Sequence, residues 1–287
     1  MQKHVRYILP SMEVDMGGFP VKQALPTNNV EQVDPFLLLH HARVKPFSDR
    51  PAKTQGVGPH PHRGFSPVTF VIEGEVNHQD SRGNNQVAKA GEVQWIHAGA
   101  GIIHSERPTQ DLIDANGTQE IIQLWINTPA ARKMIAPEYI HVSEVEIPRV
   151  IQSEEADVKL ISGAYAGKSG AFRGQSELLI LWGNLKKGAT HSFDIPKKFN
   201  ASVYSIKGNL RIEGMGLVDA ESLVVFEEEG DTVTLHANTD TQFLLLSGLP
   251  IDEPLAQYGP FVMNSQTQIM EAMRDYQMGK MGFLVED

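Results

Sequence analysis

Short apolar runs alternate with polar turn segments along the whole chain, and few stretches keep the three-to-four spacing of a helix. Residues 67–72 (PVTFVI), 121–126 (IIQLWI), 178–182 (LLILW) and 242–246 (QFLLL) are examples. They are bounded by turn residues at 83–85, at Gly99 to Gly101, at Asn116-Gly117, at Lys187-Gly188 and at Lys207-Gly208-Asn209. That rhythm predicts an all-β sandwich or barrel. A weak internal repeat aligns Glu73-Gly74-Glu75-Val76 and Gly91-Glu92-Val93 with Lys207-Gly208-Asn209-Leu210 and Gly230-Asp231-Thr232-Val233. Apolar patterning breaks between Pro148 and Asp157, so the expected domains are 1–148 and 149–287. One helix is predicted near the C-terminus. Ser265 and Gln268 suit a capping box, Ile269, Met270, Met273 and Tyr276 form the apolar stripe, and Gly279 is the stop.

Composition narrows the chemistry. The 287 residues contain no cysteine, which excludes disulfides, thiolate metal sites and a Cys nucleophile. Any metal must be held by nitrogen and oxygen. The net charge of −10 argues against a nucleic-acid partner, and Lys186, Lys187, Lys197 and Lys198 read as a solvated rim. No apolar run approaches a membrane span, and the first residues lack a signal-peptide core, so the expected location is the cytoplasm.

Two motifs stand out: His60-Pro61-His62-Arg63-Gly64-Phe65 and His104-Ser105-Glu106. In each, two metal-capable side chains lie at i and i+2, on one face of a strand. An isolated histidine, such as His4, His78 or His141, is more often a satisfied surface or core residue. Two such pairs flanked by glycine are harder to dismiss. On neighbouring strands they offer three imidazoles and one carboxylate to a single ion, leaving positions open for a substrate. Imidazole suits Zn, Cu, Ni, Co and Fe(II), and the carboxylate hardens the set toward Fe(II) and Mn. Fe(II) is the first choice, with Mn, Ni, Co, Cu or Zn open. Arg63 is out of phase with the His pair and should point away to a carboxylate. Ser105 is out of phase with its neighbours and lacks the surroundings of a nucleophile. In the second half the position matching His62 is Pro196, and His191 and His236 are solitary, so that half is expected to be metal-free.

HPHRGF, EGEVNHQDSRGN and AGEVQWIHAGAGIIHSE together resemble the pirin family of the cupin superfamily. The flanks Gly18-Phe19-Pro20-Val21, Asp34-Pro35-Phe36-Leu37-Leu38-Leu39 and Gln257-Tyr258-Gly259-Pro260-Phe261-Val262-Met263-Asn264 extend the resemblance over essentially the whole chain. It implies a bicupin: two antiparallel β-barrel domains of jelly-roll type, with metal only in the first. The family's ligands map onto His60, His62, His104 and Glu106. The resemblance also implies a quercetin 2,3-dioxygenase activity, with a flavonol and O2 as substrates, carbon monoxide as a product and Glu106 as ligand or general base. Trp95 and Phe70 are considered as pocket walls, with core packing slightly preferred. A second reading is a metal-containing regulator of a transcription factor or metabolic enzyme; a third is a cupin acting on another small molecule. The expected state is a monomer. Two departures are visible: Ser66 stands where pirins commonly carry Glu, and His40-His41 where they often carry an acidic residue.

Overall fold

The computed structural model describes residues 1–16 and 19–286, so Gly18 of the first flank lies outside the described residues. The chain forms two compact units, each assembled from separate stretches. One contains Met1–Met12, Lys22–Leu37 and Val145–Ile251; the other contains Glu13–Val21, Leu38–Glu144 and Asp252–Asp287. In mid-chain the unit changes at Glu144/Val145. The chain ends, however, cluster with the opposite halves, and residues 252–287 with their helix belong to the unit that carries the histidine motifs.

Each unit pairs a seven-stranded sheet with a four-stranded one. The large sheet whose strands Glu138–Val142, Val93–His97, Phe65–Glu73 and Gln119–Asn127 lie in the histidine-bearing unit continues through Phe36–Val44, Pro20–Leu25 and Met12–Asp15, only parts of which cluster with that unit. The small sheet runs Val57–His62, Ile102–Arg107, Glu75–Asp80, Asn85–Lys89. In the other unit Thr190–Asp194, Thr232–Ala237, Leu210–Ile212 and Gly216–Val218 form the small sheet. There, Phe193, Leu210, Val233 and Leu235 of the small sheet share one buried cluster with Val158, Leu181, Val203 and Phe243 of the large one. The core is thus the space between two sheets, as alternation of inward and outward side chains requires.

The expected pair of closed barrels is corrected by this topology. All sheets are open, and the arrangement is bicupin-like and all-β without barrel closure. Among the described residues no ladder joins the edge strands Val57–His62 and Asn85–Lys89, or Thr190–Asp194 and Gly216–Val218, to the larger sheets. Side-chain packing holds the two sheets together where a barrel would use backbone hydrogen bonds.

The predicted repeat holds at its first glycine and slips at its second. Gly74 (φ 76°) and Gly208 (φ 77°) both turn the chain from the large sheet into the small one. Gly91 then leads into Val93–His97 of a large sheet, whereas Gly230 leads into Thr232–Ala237 of a small sheet. The counterpart of Val93–His97 is Ser222–Phe226, one strand earlier. The segment before Ser222 is Asp219-Ala220-Glu221, with no glycine, so the pattern of Gly91-Glu92 matches the next Gly-acid pair, Gly230-Asp231, instead. In the proper alignment His191 lies opposite Leu235, beside the Phe193 ring at 4.8 Å. His236 is paired with Thr190, and their side chains meet at 2.7 Å on the solvent side. The two imidazoles face opposite sides of their sheet.

The helix spans Gln266–Gln277, and the Ser265 side chain caps it by accepting from the Gln268 backbone N–H. The Gln268 side chain reaches one residue further back than a capping box requires, accepting from the Asn264 N–H at 2.9 Å. Its buried face is Ile269 and Ala272, packed with Met263, Phe261, Ile103 and Met281. Met270 is 62% exposed, a correction to the predicted stripe: at helical spacing, Ala272 takes the place given to it.

Candidate metal centre

The edge strand Val57–His62 pairs antiparallel with Ile102–Arg107, placing His104 directly opposite His60 and Ile102 opposite His62. On its other side Ile102–Arg107 pairs with Glu75–Asp80, where His104 faces Asp80 and Glu106 faces His78. Period-two alternation therefore brings His60, His62, His104, Glu106, His78 and Asp80 to one face of the small sheet. Pro61, with no N–H, occupies the edge strand, where a missing donor is tolerated.

Candidate ligand atoms of His60, His62 and His104 lie within 4.8 Å of one another, and His104 is fully buried. The His60 Nδ1 lies 2.8 Å from the Gly58 carbonyl, which accepts its proton and leaves Nε2 with a lone pair toward the cluster. The His60 and His62 Nε2 atoms are 3.1 Å apart, and the buried His104 Nε2 has no hydrogen-bond partner. A buried acceptor without a donor is costly, and a cation shared by the orphaned His104 Nε2 and the neighbouring His60 and His62 rings removes that cost. The residues fit a divalent ion on this ground.

Glu106 lies outside that three-histidine group. Its Oε1 accepts from the Thr69 hydroxyl at 2.8 Å and its Oε2 from the Gln123 amide at 2.6 Å. The Trp125 indole N–H donates to the Gln123 carbonyl oxygen at 3.0 Å, which turns the amide nitrogen toward Glu106. The sequence reading missed Thr69, Gln123 and Trp125. Their signal was their shared parity on Phe65–Glu73 and Gln119–Asn127, whose pairing no sequence pattern supplies. Replacing Gln123 with Leu should remove one donor and free the carboxylate to rotate. A 10–100-fold loss of metal affinity is expected, of the size usual when a group beside a metal site loses its hydrogen-bond support. Calorimetric titration of the metal-free variant checks it.

His78 was set aside as an isolated histidine, yet it supports the centre. It is fully buried, its ring stacks on Tyr139 at 4.0 Å and 9°, and its Nδ1 lies 3.4 Å from that of His104. Its Nε2 meets Asp80 at 2.9 Å. Burial pushes the Asp80 carboxyl upward, but hydrogen bonds from His78, Asn84 and the Arg82 backbone hold it below its usual range. His78-x-Asp80 repeats the i, i+2 spacing of the two motifs, and that was the available clue.

Burial lowers the pKa of His60, burial and the neighbouring His60 lower that of His62, and burial with His60, His62 and His78 lowers that of His104. Burial also takes His40 down to about 4 from 6.5. Neutral imidazole is the form a metal needs. Below about pH 6.5 the unfolded chain takes up protons at these four positions while the folded protein does not, so acid favours unfolding. Each group removes up to ~1.4 kcal/mol per pH unit within its window; for His40 that window runs from 6.5 to about 4. Above about pH 7 both states hold neutral rings and the effect vanishes. The thermal midpoint of the metal-free protein should therefore be flat from about pH 7 to 8 and fall below about 6.5.

Other expectations resolve by strand parity. Arg63 does point away, donating to Asp275 at 3.0 Å and to the Ala100 carbonyl at 2.7 Å. Ser66 also faces away, with its hydroxyl 3.0 Å from His97 Nδ1, so the departure at this position does not touch the cluster. Phe70 and Trp95 are fully buried on the face opposite Thr69, as core residues. The aromatics at the cluster are Phe65 and Trp125, 5.0 and 5.4 Å from the His62 ring. His41 pairs with Glu120 at 3.0 Å, both buried, and neither His40 nor His41 joins the three-histidine group.

The loop after His62 is gripped by the C-terminal segment. The Arg63 N–H donates to the Pro260 carbonyl, and the Arg63 carbonyl accepts from Val262 at 3.0 Å. Buried Lys133 donates to the carbonyls of Gly64 (2.7 Å) and Val262 (3.1 Å) and to the Asn127 side chain (2.6 Å). Gly64 has φ 84°, and a Cβ there would lie 2.0 Å from the Val262 carbonyl oxygen, so only glycine fits.

Paired open sheets in each of two units, with a buried three-histidine cluster on one small sheet, define a bicupin-like protein with a metal-binding site. The chain belongs to the pirin family: residues 18–126 match Pirin and residues 180–282 match the Pirin C-terminal cupin domain. It is 38% identical over 266 residues to a Pseudomonas aeruginosa protein provisionally named quercetin 2,3-dioxygenase, covering 92% of each chain. It is 36% identical to a pirin-like protein of Solanum lycopersicum, covering 97% of this chain and 92% of that one. The crystal structure of a quercetin 2,3-dioxygenase from Acinetobacter baumannii superposes with a TM-score of 0.92 at 34% identity, over 99% of this chain and 100% of that one. Among the described residues no helix is long and apolar enough to cross a membrane.

Proposed function

We propose that the protein is a metal-dependent dioxygenase that cleaves a flavonol such as quercetin with O2 and releases carbon monoxide. The observation that carries this reading is the buried cluster of His60, His62 and His104, with the doubly hydrogen-bonded Glu106 carboxylate on the same strand face. The kinship with quercetin 2,3-dioxygenases supports it.

We assign His60, His62, His104 and Glu106 as ligands of one divalent ion, Fe(II) first and Mn, Ni, Co, Cu or Zn as alternatives for the same donors. When bound, the ion supplies Lewis acidity toward a hydroxyl and activation of O2. Glu106 is also the catalytic group in this reading. Held by Thr69 and Gln123, it can accept the proton of the flavonol 3-hydroxyl. Phe65 and Trp125, whose rings lie 4.3 Å apart, give the cluster an apolar wall suited to a flat substrate. Both atoms of O2 enter the cleaved ester, and the 3-carbon leaves as carbon monoxide, so the atoms balance.

In the same reading the metal is confined to the 1–148 half, and the 149–287 half is metal-free. The opposed orientations of His191 and His236 support that assignment. A cytoplasmic monomer with no nucleic-acid or membrane partner completes the proposal, in keeping with the charge of −10. Anaerobic reconstitution with Fe(II), followed by quercetin and air, tests it. Loss of the flavonol's visible absorbance with equimolar carbon monoxide supports the reading. Tight metal binding without turnover under any of the six ions turns the weight to the regulator of a protein partner.

A further inference from the structure

A cavity of the histidine-bearing unit carries chemistry that the dioxygenase reading does not use. It has a volume of 640 Å³ and is lined by Phe19, Phe47, Arg43, Lys45, Arg50 and Gln55, among others. Its lining contains three cations and no carboxylate, in a chain whose acidic residues outnumber Lys and Arg by 35 to 25. Arg43 is anchored by ion pairs to Glu73 and Glu120, both at 3.4 Å. Neither Lys45 nor Arg50 forms an ion pair among the described residues. The Arg50 guanidinium instead sits 4.3 Å over the Phe47 ring, which is 57% exposed.

The loop that presents these groups is held from below. Buried Gln55 accepts from the Phe47 N–H at 2.6 Å and donates to the Phe47 and Arg50 carbonyls, each at 2.9 Å. The Gln55 carbonyl in turn accepts from Arg107 at 2.7 Å. A buried amide that satisfies both ends of a loop reduces the ordering cost of binding there. The volume suits a small molecule, and converging cations in a concave wall strengthen their common field.

We propose that this cleft is a binding site for a small planar aromatic anion, such as an aryl carboxylate, separate from the histidine cluster. The ring stacks against Phe47 and its guanidinium neighbour, and the carboxylate meets Lys45 and Arg50. None of the three histidines lines the cleft, so the inference does not depend on the dioxygenase reading.

Titration of the full-length protein with 2-naphthoate, 2-naphthamide and inorganic phosphate, followed by calorimetry, tests the assignment. Saturable one-to-one binding of naphthoate is expected, at least tenfold tighter than the neutral amide and than phosphate. The double variant Lys45→Gln, Arg50→Gln should weaken naphthoate at least tenfold, and Phe47→Ala at least fivefold. These side chains are exposed, so the variants should fold. In His104→Ala the affinity for naphthoate should be unchanged. No saturable binding, equal affinity for the amide, equal affinity for phosphate, or loss of binding only in His104→Ala would each overturn it.

Discussion

His104→Ala is expected to abolish metal binding and to take quercetin turnover below detection, while the metal-free protein still folds. The ring is fully buried and central to the cluster: its centroid lies 4.4 Å from that of His60, 4.9 Å from His62 and 5.3 Å from His78. Removing it breaks the three-histidine group and leaves two imidazoles within 4.8 Å and a carboxylate outside that group, so the remaining donors do not converge on one point. Cavity formation at a buried ring should cost about 2–4 kcal/mol, which a domain of ordinary stability survives. Metal content after gel filtration and the thermal midpoint of the metal-free variant separate the two effects. A variant that keeps its full metal content would remove His104 from the site.

Lys133→Met should give the largest loss of stability among substitutions away from the ligands, about 3–5 kcal/mol. The ammonium is 1% exposed and satisfies three acceptors, two of them the Gly64 and Val262 carbonyls that bring the C-terminal segment against the ligand loop. Methionine fills a similar volume but leaves those oxygens buried without a donor. The loop that follows His62 loses its anchor at the same time, so metal affinity should fall together with stability. Denaturant unfolding of the metal-free variant measures the first effect, and a metal titration well below its midpoint measures the second. A stability loss below about 1 kcal/mol would show that the carbonyls find other donors.

The centre was legible wherever chemistry depends on local spacing. His60, His62, His104 and Glu106 stand at i and i+2, and a strand's alternation alone puts each pair on one face. The same alternation correctly turned Arg63 outward to a carboxylate, and the capping residue Ser265 marked its helix. What could not be read was pairing between distant strands. Thr69 and Gln123 reach Glu106 because their strands are neighbours in the large sheet, a fact of topology with no local signature. Lys133 looks like a surface lysine in its own segment, and its burial against Gly64, Asn127 and Val262 joins residues far apart in the chain. Open sheets rather than barrels were likewise unreadable, since closure depends on whether edge strands meet, and alternation is the same in both.

The most direct measurement is turnover of quercetin by the metal-loaded protein under 18O2, with mass spectrometry of the cleaved ester. A metal-dependent dioxygenase places two labelled oxygen atoms from a single O2 molecule in that product and releases unlabelled carbon monoxide. Unlabelled ester, one labelled atom, or no product despite a filled histidine site would contradict the account.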